Sequence, residues 1–84
     1  MYNKFTNVNL NDLLKQPELL PDLCYQLRKE ISPPNELIPK SFFANMLNCE
    51  IIELSQIESG HIYNVTLAFR YYLKLLQVYK LFNT

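Results

Sequence analysis

The stretch Phe42-Phe43-Ala44-Asn45-Met46-Leu47-Asn48-Cys49-Glu50-Ile51-Ile52-Glu53-Leu54-Ser55-Gln56-Ile57-Glu58-Ser59-Gly60 reads as two short helices folded over a tight turn. In the first, Phe43, Ala44 and Leu47 fall at i, i+1 and i+4, one apolar face of a helix. Ala44 is small enough to let a second helix cross close by. Asn48 stands where the chain must reverse, and after glycine asparagine best tolerates the left-handed conformation. Cys49 is small and apolar, suited to the angle between the helices. The second helix shows Leu54 and Ile57 at i and i+3, with Gly60 as its stop signal.

This layout resembles the Cro/CI-type helix-turn-helix of the XRE family of bacterial and phage regulators. Three runs carry the resemblance. Phe43-Ala44 stands for the usual Leu-Ala, and Leu47-Asn48-Cys49 for Leu-Gly-Val. Leu54-Ser55-Gln56-Ile57-Glu58-Ser59-Gly60 follows the pattern Ile-Ser-x-Ile-Glu-x-Gly. The likeness covers residues 22–76, with Tyr63-Asn64-Val65-Thr66-Leu67 continuing as family members do before their fourth helix. It implies an all-α fold, a four- to five-helix bundle of the Cro/CI repressor type. Leu27-Arg28 matches a Leu-Arg pair of the first family helix, where the arginine braces the domain through a carboxylate; Glu58 is the implied partner.

Composition frames this expectation. Eighty-four residues make one small domain, burying about 60–65% of its unfolded surface. Hydrophobic residues at 49% are too many for disorder. Six Tyr and five Phe without Trp suggest that some apolar area is covered by a second copy or a partner. Cys24 and Cys49 lie inside helical patterns with no signal peptide evident. Two buried thiols in a cytoplasmic protein are therefore expected, rather than a disulfide. One His and no Cys-x-x-Cys leave no zinc site, and no apolar run reaches the ~18 residues of a membrane span. Without an acid pair or a Gly-rich phosphate loop, neither an enzyme nor a cofactor is expected.

The charge is zero overall and uneven along the chain. Residues 1–40 hold five basic and five acidic side chains, residues 41–60 three Glu and no Lys or Arg, and residues 61–84 Arg70, Lys74 and Lys80 with no acid. DNA-binding domains usually carry a basic excess, because phosphate neutralisation supplies much of their affinity. Here the stretch expected in the groove is the acidic one.

Three segments are expected: an N-terminal arm with a short helix (1–20), the helix-turn-helix domain (21–76) and a dimerisation tail (77–84). In the arm, Leu10, Leu13 and Leu14 follow Asn9, a plausible N-cap, and the helix should end before Pro17. Pro17 or, preferably, Pro21 opens the next helix, with Leu23, Leu27, Cys24 and Ile31 as its buried stripe. The Pro-rich connector 32–39 is about five residues longer than the resemblance implies, and Leu37-Ile38 should tuck onto the core. Asn64 or Thr66 caps the last helix of the domain, which is expected to end near Leu76. Phe69, Tyr72, Leu73 and Leu76 form one apolar stripe, read as core. Ala68, Tyr71 and Leu75 form another, read as a dimer interface. In the tail Val78, Tyr79, Leu81 and Phe82 are good strand formers. A short C-terminal β-strand pairing across the dimer, as in some family antitoxins, is set against a continuing helix.

The resemblance implies that Lys40, Ser41, Glu50, Ile51, Ile52, Gln56 and His61 approach DNA. Gln56 can bond adenine bidentately, Ile51 and Ile52 can meet thymine methyls, and Lys40 can hold a phosphate. The implied protein is a DNA-binding regulator, a repressor or autoregulating antitoxin, reading a palindromic site as a homodimer. The residues themselves also fit a degenerate helix-turn-helix that docks a protein, such as a cognate toxin or another regulator. Paired Ile flanked by Glu suits an apolar hot spot with a charged rim.

Overall fold

A computed structural model describes residues 10–33 and 36–82, the side chains of Leu10 and Phe82 excepted. Five α-helices form among them: α1 (Leu10–Lys15), α2 (Leu20–Ile31), α3 (Lys40–Leu47), α4 (Ile51–Glu58) and α5 (Val65–Phe82). A 3₁₀ turn, Pro17–Leu19, links α1 to α2. Both prolines occupy first-turn positions, Pro17 in the 3₁₀ turn and Pro21 in α2, where a missing N–H costs nothing. The expected cap Asn9 lies outside the described residues.

The turn between α3 and α4 forms as its residues dictate. Asn48 adopts φ 55°, ψ 49°, the left-handed conformation that asparagine accepts more readily than a branched residue. Its reversal lets the Cys49 N–H donate back to the Ala44 carbonyl at 3.0 Å, closing the end of α3. Gly60, at φ 92°, does the same work after α4. Asn64 rather than Thr66 caps α5, its Oδ1 accepting the Leu67 N–H at 3.0 Å.

One core gathers residues from all five helices, including Leu13 of α1, Leu27 of α2, Phe43 of α3, Leu54 of α4 and Leu75 of α5. Two expectations for α5 change here. It does not end at Leu76: residues 77–82 continue the helix, the second of the two readings of the tail. Val78 and Tyr79 follow Leu75 at helical spacing and pack against the core, and no Gly or Pro interrupts them. Both stripes also turn inward: Ala68, Tyr71 and Leu75, read as an interface, are fully buried, as is Tyr72 of the stripe read as core, with Phe69 and Leu76 packed against the buried residues and only Leu73 exposed. Two apolar stripes one residue out of phase give so apolar a helix a broad inward face. The stripe holding small Ala68 is the one that lets the chain approach closely.

The Pro-rich connector is pinned at its far end. The Ser32 hydroxyl donates to the Arg28 carbonyl and accepts the Ile38 N–H at 2.9 Å. Of the expected pair only Ile38 packs on the core; Leu37 is exposed. Pro34 and Asn35 lie outside the described residues.

Candidate functional site

The position of α4 is set by one buried carboxylate. Glu58, in its last turn, accepts from Arg28 of α2 twice, from Nε at 2.9 Å and from Nη2 at 2.7 Å. Tyr71 of α5 donates its hydroxyl to the same carboxylate, and the third guanidinium nitrogen, Nη1, donates to the Ile38 carbonyl at 2.8 Å. The Arg28–Glu58 pair implied by the resemblance is thus present, with both side chains almost wholly buried. A bidentate pair of this kind is directional as well as strong. Tyr71 and the connector complete it; neither was foreseen, because nothing local in the sequence links them to Glu58.

Burial and the carboxylate also act on neighbouring protons. Burial, then the hydrogen bond to Glu58 and its charge, push the Tyr71 hydroxyl well above the ordinary tyrosine range. Burial, with a smaller effect of Glu58, does the same to the Cys24 thiol. Burial alone would lower the Arg28 pKa, but the Glu58 hydrogen bond and charge outweigh it and raise it. For Tyr71 and Cys24 the folded chain keeps protons that the unfolded chain releases in alkali. Their contribution is therefore intact below the unfolded pKa values and lost as pH rises. Denaturant unfolding at increasing pH should show stability falling from about pH 9, where an ordinary thiol ionises, and more steeply above about pH 10. Tyr71→Phe should make the upper slope shallower by about 1.4 kcal/mol per pH unit. An unchanged slope would mean that Tyr71 ionises freely in the folded chain.

With Leu54 and Ile57 turned inward, α4 shows its start and one flank to solvent. Ile51 and Ile52 are 50% and 62% exposed. Glu50 is the N-cap residue, and its N–H donates to the Glu53 carboxylate at 2.9 Å. Glu53 is therefore engaged as a cap. Two carboxylates at the positive end of α4 suit the helix dipole and occupy the place where a phosphate would be welcome. Gln56 is half-buried, and its backbone carbonyl accepts the His61 backbone N–H at 2.8 Å. Glu53, Gln56 and His61 line one small hollow of about 50 Å³ with Tyr63. The imidazole of His61 stacks on Tyr63, ring centroids 6.1 Å apart and planes 14° apart. Tyr63, 78% exposed, is a residue that sequence reasoning missed; a lone tyrosine between helices carries no periodic signal. Lys40 and Ser41 are half-buried at the far end of α3, roughly 10 Å along the axis from the turn.

Three members of the expected dimer face lie inside the chain. Ala68, Tyr71 and Leu75 are wholly buried within the single chain, Tyr71 with its ring 5.8 Å from that of Phe43. They cannot also face a partner. Val78 and Tyr79 pack against the same core. Leu81 remains exposed at 67%, and the Phe82 side chain lies outside the described residues.

Among the described residues no group of three or more His, Cys, Asp or Glu is placed to hold a metal ion. No described helix is long and apolar enough to cross a membrane. No family model, curated protein or solved structure matches the chain.

Proposed function

We propose that the chain is a DNA-binding regulator, a repressor or autoregulating antitoxin, in which α3 and α4 act as a helix-turn-helix. The observation that carries this reading is the α3–α4 corner. A left-handed Asn48 turns the chain, and Arg28 and Tyr71 fix α4 through Glu58. The exposed start of α4, at Ile51 and Ile52, would enter the major groove. Gln56 would read an adenine, worth about 1–3 kcal/mol of discrimination, and Ile51 and Ile52 would meet thymine methyls. Lys40, at the start of α3, would hold a phosphate. Retardation of a fragment carrying the protein's own promoter should weaken steeply with added salt. Gln56→Ala should cost about tenfold or more in specific affinity. No retardation at low salt by a folded sample would remove this reading.

A second reading is favoured by a specific observation. The exposed start of α4 is apolar and acidic, and residues 41–60 hold no cation to neutralise a phosphate. Ile51 and Ile52 rimmed by Glu50 make a docking surface for a protein. Palindromic binding as a dimer, for its part, would need a surface other than Ala68, Tyr71 and Leu75.

A further inference from the structure

A groove of about 280 Å³ runs between the end of α3 and α5, lined by Met46, Leu47, Arg70, Leu73, Lys74 and Gln77. Its lining mixes the exposed apolar side chains of Met46 and Leu73 with the polar groups of Arg70, Lys74 and Gln77, and its charge is positive. Arg70 reaches from α5 to α3, donating to the Leu47 carbonyl at 3.2 Å, and Lys74 donates to Gln77 at 3.2 Å. The groove therefore ends at the very turn from which α4 departs. On the other side of that turn stands the exposed start of α4, apolar and negative. Half-buried Cys49 joins the two, two residues after Leu47 of the groove and one before Glu50.

Adjacent patches of opposite charge and shared apolar character are complementary to themselves under a two-fold rotation. Two α5 helices laid side by side are not, because Arg70, Lys74 and Lys80 have no acid on that helix to meet. We propose that two copies of this chain associate about a two-fold axis near Cys49, the start of α4 of each (Glu50, Ile51) seated in the groove of the other (Arg70, Leu73, Lys74). This rests on the docking reading of α4 and names its partner. Leucine and isoleucine side chains exposed in one copy would supply the apolar contact. The charges would fix the register. Because the start of α4 cannot face a second copy and a DNA groove together, self-association and DNA binding would compete.

The test needs no DNA, so its outcome is separate from that of the retardation experiment. Sedimentation equilibrium of the full chain should show a dimer. Lys74→Glu and Glu50→Lys should each raise its dissociation constant about tenfold or more, since two attractive pairs become two repulsive ones. Mixing the two variants should restore a dimer, because every changed charge then faces its opposite. Ile51→Asp, which leaves the N-cap residue in place, should also break the dimer while its helical circular dichroism persists. A wild-type chain that stays monomeric, single variants that associate like wild type, or a mixture that gains nothing would each overturn the proposal.

Discussion

Arg28→Met is expected to cost about 3–5 kcal/mol of folding free energy, the usual result of leaving one member of a buried ion pair unpaired. That is a large share of the roughly 5–15 kcal/mol available to a domain, and a chain of 84 residues sits towards the lower end. The loss goes beyond the ion pair. The guanidinium also holds the Ile38 carbonyl and so the end of the Pro-rich connector. Glu58→Gln should cost less, because the amide oxygen still accepts from Arg28 or Tyr71. Combining Arg28→Met with Glu58→Leu should recover much of the loss, as replacing both charges by apolar groups removes the unpaired one. Urea unfolding of the three variants measures this order; a loss below about 1 kcal/mol for Arg28→Met would place the pair with weak surface bridges instead.

Leu75→Ala should cost about 2–5 kcal/mol through lost burial and the cavity left behind. The same loss should appear at low and high protein concentration. Leu75 is wholly buried in the single chain, so its contribution belongs to folding and not to association. A loss that grew on dilution would return Leu75 to an interface.

Legibility in the sequence followed the range of the forces involved. The α3–α4 turn was readable because Asn48, Gly60 and the apolar spacing act over a few residues. The Arg28–Glu58 pair was readable only through family resemblance, since thirty positions separate its members. The two stripes of α5 were both visible, but which side chains of each turn inward depended on the neighbouring helix. Phe69-Arg70-Tyr71-Tyr72-Leu73 offers apolar side chains in nearly every direction. The tail had two readings for a related reason: Val78 and Tyr79 are good strand formers in isolation, and in the single chain the helix before them carries them past that preference. On the candidate site, exposure of Ile51 and Ile52 follows from Leu54 and Ile57 facing inward, so the face was legible while its ligand was not.

The single carboxylate of Glu58 touches α2 through Arg28 and α5 through Tyr71, and it belongs to α4. Three helices thus share one fixed point. In thermodynamic terms, α4 is ordered before any proposed partner arrives, its orientational freedom given up during folding. Association through its exposed start should carry little further entropy cost from the backbone. A mutation at Glu58 would then weaken binding without touching the binding surface, by letting the helix rock before it docks.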